Sequence, residues 1–177
     1  KLAQSLYERH KAITYPRTDS KALPEDYMGT CIDTLQQLGG NLKPFAQKPL
    51  DNDWVNGDNR RIFNNKQISD HFAIIPTNQP PENLNDNERR IYDMIAKRFV
   101  AVFYPPAMWD VTTQVSMVGE HSFKTEGRVL VEPSWLIIYG KDKQGEDSLP
   151  ALTETDNGRA SVNEMNLQPE ETKPPAH

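Results

Sequence analysis

Ala12-Ile13-Thr14-Tyr15-Pro16-Arg17-Thr18-Asp19-Ser20 is the stretch around which the rest of the chain is organised. It places a tyrosine, an arginine and three further polar side chains within six residues, directly after a segment with helical apolar spacing. A phenol is a poor nucleophile while it keeps its proton. At an ordinary pKa of about 10, on the order of one in a thousand is ionised at neutral pH, a handicap of roughly 4 kcal/mol. Arg17 follows closely, stays charged at any physiological pH, and offers a planar fork of donors to a phenolate or a phosphate. Pro16 between them fixes one backbone dihedral and biases Tyr15 towards an extended conformation.

On Tyr15, Pro16 and Arg17 alone, a turn holding a half-buried ring is the simpler account. The longer string changes the reading. Ile13 to Ser20 resembles the active-site segment of the type IA DNA topoisomerases, and Pro16 after the tyrosine is similar to the topoisomerase III branch of that family. The resemblance implies that Tyr15 is the nucleophile that attacks a single-strand phosphodiester, forming a 5′-phosphotyrosyl link and releasing a 3′-hydroxyl. A second string, Ile68-Ser69-Asp70-His71-Phe72-Ala73-Ile74-Ile75-Pro76-Thr77, resembles another signature of the same family: a histidine, one residue, Ala-Ile, one residue, then Pro-Thr. A lone histidine beside apolar residues is usually structural. Two family-specific strings in the right order, about 55 residues apart, are much harder to obtain by accident than either one.

By the resemblance, His71 sits close to Tyr15 and to an acidic metal-binding domain, where it relays a proton or orients the scissile phosphate. A histidine titrates near neutrality and suits either role. Phe72 stands where many relatives carry another histidine, and no chemical role is given to it. Thr18, Asp19 and Ser20 are expected to position the DNA backbone. Lys11, Arg60, Arg61 and Thr77 are weaker candidates for DNA contact. Trp54 is a possible stacking platform for a base, with loop packing the blander account.

Composition sets bounds on these readings. The 177 residues suffice for one good core or two small ones, and 14 prolines against 9 glycines point to many ordered turns. The single cysteine, Cys31, excludes an internal disulfide or a thiolate zinc site. It reads as a small apolar residue on a helix. No run of 18 apolar residues and no charged-then-apolar leader occurs, so the expectation is no membrane span and a cytoplasmic protein, which the resemblance implies is nucleoid-associated. The net charge of −5 argues against a free-standing domain that grips a duplex by charge. The charge is uneven, however. Lys1, Arg9, Lys11, Arg17 and Lys21 outnumber Glu8 and Asp19 around the tyrosine, whereas the tail from Gly140 carries eight acids against four bases. A solvated helix face would account for the positive end equally well.

Outward from the tyrosine, Leu2, Leu6 and Tyr7 predict a helix over Lys1 to Lys11. A second helix is expected from Pro24 to Leu38, stopped by Gly39-Gly40. Asn41 to Asn59, broken by prolines, asparagines and aspartates, reads as a connecting loop. Asn85 and Glu88 form a capping-box pattern ahead of the apolar stripe Ile91, Ile95, Phe99 and Val102, a helix ended by Pro105-Pro106. Arg89, Arg90, Lys97 and Arg98 read as its solvated face. After Pro106 the apolar period becomes two: Val111, Thr113, Val115 and Met117 form a strand, Gly119 a turn, and Phe123 begins the return. Val129 to Val131 and Trp135 to Tyr139 are further apolar runs in this strand-rich part. Lys141 to Asp147 reads as a charged loop, Leu149 to Leu152 as a short run, and Arg159 to Leu167 as a last strand.

The expected class is α+β, helices first and strands after. The resemblance implies two domains. Residues 1–104 would be a helical, winged-helix-like domain carrying the catalytic tyrosine, its amino-terminal part missing, and residues 105–177 part of an antiparallel β-rich arch. Thr172-Lys173-Pro174-Pro175 resembles the exit from that arch, so the chain is expected to be a fragment that binds the missing domains of the same polypeptide. The family's reaction uses single-stranded DNA and no nucleotide. It uses magnesium held by clustered acids in the missing amino-terminal domain, with no metal ligands in this fragment, which by itself is then expected to be inactive. The alternative is a non-catalytic single-stranded-DNA-binding or structural module of the same fold, or a protein-interaction domain.

Overall fold

The computed structural model describes residues 1–141. Four α-helices come first: α1 (Leu2–Glu8), α2 (Met28–Gln37), α3 (Lys43–Asp51) and α4 (Asp86–Ala101). Two long strands, β1 (Met108–Val118) and β2 (His121–Glu132), pair antiparallel across a turn at Gly119. A 3-10 helix, Ser134–Tyr139, is the last element. The order is α+β, as the sequence predicts.

α4 organises the helical part. Its start is a full capping box: the Asn85 side chain accepts from the Glu88 N–H at 3.0 Å, and the Glu88 carboxylate accepts from the Asn85 N–H at 3.1 Å. A cap of this kind is worth about 1 kcal/mol. The apolar side of the helix, with Ala96, Phe99 and Val100 buried, packs with Leu35 and Cys31 of α2, Phe63, and Ala46 of α3. A smaller cluster of Leu6, Ala12 and Ile13 closes on Ile91 and Ile95 at the other end of α4. This second cluster seats the tyrosine segment.

Glu88 does more than cap. Its carboxylate accepts the Ser5 hydroxyl of α1 at 2.6 Å and lies 3.3 Å from Nε2 of His10, the Glu88 and His10 side chains being withdrawn from solvent. That nitrogen is not aligned for a hydrogen bond and has no hydrogen-bond partner among the described residues. The Ser5 hydroxyl, then the Asn85 N–H, hold the Glu88 carboxyl below its ordinary value against the opposing effect of burial, and His10 adds a smaller contribution. One carboxylate thus ties α1 to the start of α4.

Three expectations are corrected. α2 begins at Met28, not Pro24, because Leu23 is held extended by its N–H to Ile62 (2.7 Å) and its carbonyl to Asn64 (2.9 Å). The chain then needs a turn, Pro24 to Tyr27, before it can coil. Asn41 to Asn59 is not all loop: it contains α3, with Pro44 in the first turn, where a missing N–H costs nothing, and Pro49 near the end with its ring buried. Trp135 to Tyr139 is not a strand. Pro133 starts a 3-10 helix that buries Ile138 in the helical core, with Trp135 and Ile137 packed against it, and stops at Gly140, whose φ of 70° suits a residue without a Cβ. A short apolar run cannot be told from a buried helical turn by period alone.

The hairpin follows the predicted alternation, with Val111 opposite Arg128, Val115 opposite Lys124 and Ser116 opposite Phe123. Val111, Val115, Met117 and Phe123 are all more than half exposed. The expected charged loop beyond Lys141, the Leu149 to Leu152 run and the strand at Arg159 to Leu167 lie outside the described residues. No helix among the described residues is long and apolar enough to cross a membrane.

Two measurements check this packing. A depressed carboxyl pKa contributes stability that is present above its unfolded value of 4.5 and is lost as pH falls through the folded value. Glu88→Gln should therefore lower the thermal midpoint at pH 7, and the difference from the parent should shrink as pH drops below about 4.5. A difference that stays constant down to acid pH would contradict the assigned role. Burial pushes the Cys31 thiol up to about 12, so a thiol-specific reagent at pH 8 should label it only in denaturant. Rapid labelling of the native chain would contradict the packing around α2.

Candidate active site

The two motifs meet through their backbones. Ile13 and Pro76 form an antiparallel bridge. The Thr14 N–H donates to the Ile75 carbonyl at 3.0 Å and the Thr77 N–H to the Ala12 carbonyl at 3.0 Å. Side chains extend the pairing. Thr14 Oγ1 donates to the Ala73 carbonyl and accepts from the Ile75 N–H, both at 3.0 Å. Thr77 Oγ1 donates to the Lys11 carbonyl at 2.7 Å. Lys11 itself is left-handed, with φ of 53°, a conformation that costs a non-glycine residue about 1 kcal/mol. It reverses the chain between α1 and the paired segment.

Beyond Tyr15 the same arrangement continues. Thr18 Oγ1 donates to the His71 carbonyl at 2.8 Å and Ser20 Oγ to the Gln67 carbonyl at 2.9 Å. The Ala73 N–H returns to the Ala22 carbonyl at 2.9 Å. Each such bond contributes about 1 kcal/mol net, and together they fix the two segments side by side. The conjunction of two separate strings in the sequence is therefore physical contact in the fold.

The outcome at the rings is close. The Tyr15 and His71 rings lie 4.2 Å apart between centroids, tilted by 38°. Tyr15 is half-buried and His71 exposed. Tyr7 of α1 stands nearly perpendicular to Tyr15, at 5.4 Å and 84°. The Lys11 ammonium lies 5.8 Å from the Tyr7 ring centroid.

Arg17 is exposed and makes no ion pair among the described residues. With Pro16, Lys1, Ala3 and Gln4 it lines an open depression of about 270 Å³ beside α1. Two cations at one rim suit an anionic group. Asp19 is exposed beside it.

The remaining candidates fall into two groups. Thr18, Ser20 and Thr77 spend their hydroxyls on backbone carbonyls, so they shape the site from within. Arg60 and Arg61 sit on the turn after Asn59. Arg60 forms an ion pair with Glu25, whose carboxyl is lowered chiefly by that guanidinium. Trp54 packs edge-on against Tyr104, 5.1 Å between centroids. Phe72 turns towards Tyr27, 4.8 Å away, on the core side. No group of three or more His, Cys, Asp or Glu among the described residues converges as a metal ion would require.

Two residues of the site escape sequence reading. Tyr7 reads only as part of an apolar stripe, because no spacing rule crosses the reversal at Lys11. Thr14 lies inside the motif, and only its two-way hydrogen bonding distinguishes it from its neighbours.

Comparison with known proteins bears on this geometry. The family described as DNA topoisomerase matches residues 1–177. DNA topoisomerase 3 of Bacillus subtilis (strain 168) is 36% identical over 98% of this chain, and that of Bacillus licheniformis 37% identical over 98%. DNA topoisomerase 3 of Bacillus cereus (strain ATCC 14579) is 36% identical over 82% of it. The matched parts amount to 25%, 24% and 20% of those proteins, so the chain spans about a quarter of their length or less. With the match running through both paired motifs and along its whole length, the chain belongs to the DNA topoisomerase family.

Proposed function

We propose that this chain is the nucleophile-bearing segment of a type IA enzyme of the topoisomerase III kind, in which Tyr15 cuts and reseals one strand of DNA. The observation that carries the reading is the Tyr15–His71 ring pair, 4.2 Å apart at the junction of two motifs bonded edge to edge. Residues 1–104 then correspond to the winged-helix-like domain, and the hairpin that follows to part of the β-rich arch.

In the proposed reaction, Tyr15 Oη attacks a backbone phosphorus of single-stranded DNA. A bond forms between the phenolic oxygen and phosphorus, and the bond from phosphorus to the 3′ oxygen breaks. The phenol gives up its proton and the departing 3′ oxygen gains one as a hydroxyl. The link left behind is a phosphotyrosine diester on the 5′ side, so the bond energy is kept and resealing needs no nucleotide. Arg17 stabilises the charge on the attacked phosphate. His71, against the tyrosine ring and open to solvent, relays the proton or orients the phosphate. Thr18 and Ser20 hold the loop from within, Asp19 and Lys11 border it, and Thr77 fixes its base. Arg60 and Arg61 contact the strand farther out.

The donor set described in this chain does not fit a metal ion. We assign the magnesium to segments of the parent outside this chain. The same reasoning gives the chain its other partners: the remaining domains of its own polypeptide and single-stranded DNA, in the cytoplasm with the nucleoid.

Two experiments test the reading. An internally labelled single-stranded oligonucleotide, incubated with the full-length parent and magnesium and then denatured, should yield a covalent adduct that mass spectrometry maps to Tyr15. Tyr15→Phe should abolish the adduct while changing oligonucleotide affinity by less than about threefold, a loss within the ~0.7 kcal/mol that one hydroxyl contact commonly supplies. Binding without any adduct in the parent would make the chain a binding module and withdraw the roles of Arg17 and His71. The second is the isolated chain, which should leave supercoiled plasmid unrelaxed. Relaxation by it alone would contradict the assignment of magnesium and the remaining catalytic groups to other segments.

A further inference from the structure

The Tyr15 ring is flanked on two sides. His71 lies against it at 4.2 Å, and Tyr7 meets it nearly at right angles at 5.4 Å. A phenol on a loop has two side-chain torsions free, and attack on phosphorus requires its oxygen in one place. A single aromatic neighbour leaves the ring free to swing away from that neighbour. Two neighbours at different angles leave one orientation. Perpendicular and offset arrangements are also those that the ring quadrupoles favour.

Tyr7 is well placed to act as a fixed wall. It lies in the last turn of α1, next to Leu6, which is fully buried. α1 is fastened to α4 through the Ser5–Glu88 hydrogen bond and the His10–Glu88 approach. The Lys11 ammonium also lies over the Tyr7 ring, 5.8 Å from its centroid. Lys11 is the residue whose carbonyl is held by Thr77 of the histidine motif. Tyr7 is thus tied to the helix on one side and to both motifs on the other.

We propose that Tyr7 is a positioning residue for the nucleophile: its ring, through the perpendicular contact with Tyr15, sets the side-chain orientation from which the phenolic oxygen attacks. The hydroxyl of Tyr7 takes no part, because the contact is between rings. The inference rests on the reading of Tyr15 as nucleophile, and its test separates the two.

The test is single-turnover cleavage of a single-stranded oligonucleotide by the full-length parent with magnesium, with affinity and thermal midpoint measured in parallel. Tyr7→Leu removes the ring, and Tyr7→Met removes it while keeping more of its length with a flexible, unbranched chain. Tyr7→Phe keeps the ring and removes the hydroxyl. The ringless variants should cleave roughly tenfold more slowly at saturating oligonucleotide, the upper end of what one aromatic pair supplies. Their oligonucleotide affinity should be unchanged, and Tyr7→Phe should cleave at the parent's rate. Should Tyr7→Leu fail to fold, Tyr7→Met is judged by the same criteria, and if both fail to fold Tyr7 is a packing residue and the proposal is overturned. Parental cleavage rates in a folded ringless variant would overturn it, as would a Tyr7→Phe variant as slow as the ringless ones. Persistence of the adduct in Tyr15→Phe would instead overturn the nucleophile assignment, whereas its loss there together with full rates in Tyr7→Met would overturn the role of Tyr7 alone.

Discussion

The structure of the site depends on one short stretch of backbone pairing, in which residues 12–14 lie edge to edge with residues 75–77. The pairing is too short to count as a sheet, and two threonines lengthen it by using their hydroxyls as extra rungs. Thr14 bridges to Ala73 and Ile75, and Thr77 reaches back to Lys11. Each rung joins residues about 60 positions apart in the chain, so each carries the entropic cost of closing a long loop. The cost of closing that loop is met by the apolar core, in which residues of α2, α3 and α4 share one cluster with Phe63. The core therefore holds the two motifs together although it contributes no side chain to the chemistry.

A single buried carboxylate connects that core to the tyrosine. Glu88 caps α4 and receives Ser5 from α1, and His10 approaches it from the reversal that leads into the motif. Burial alone would favour the neutral acid. The donors, Ser5 first and the Asn85 N–H next, and the positive end of the α4 backbone favour the charged form and prevail. The result is a joint whose alignment depends on ionisation. It holds α1, and with it Tyr7, in a set position beside Tyr15. Stability and site geometry share this joint.

The hairpin contrasts with both. β1 and β2 pair over their whole length, yet apolar residues on both faces remain open, among them Val111, Val115 and Phe123. A hairpin alone buries little, and its order here comes from ladder hydrogen bonds and from its root, where the 3-10 helix sets Ile138 into the helical core with Trp135 and Ile137 beside it. The helical part packs around two apolar clusters. The strand part is anchored at one end and extends away from that anchor.

The sequence by itself determined the local elements and the identity of the two motifs. The capping box at Asn85 and Glu88, the period-two run after Pro106 and the turn at Gly119 were legible because each is set by neighbours a few residues away. It misjudged α3, whose prolines look like breakers until one sees that Pro44 occupies a first-turn position and Pro49 a late one. It misjudged Trp135 to Tyr139 because a five-residue apolar run has no period long enough to separate a strand from a helical turn. Only the tertiary structure decided which motif residues hold the fold and which are left free. Thr18, Ser20 and Thr77 look like ligand contacts in the string and prove to be tied to carbonyls, while Arg60 is engaged by Glu25. Tyr7 joined the site only through the left-handed reversal at Lys11, which brings α1 back alongside the segment that follows it. A motif records which groups are available, whereas the distances between them are fixed by contacts across the whole chain.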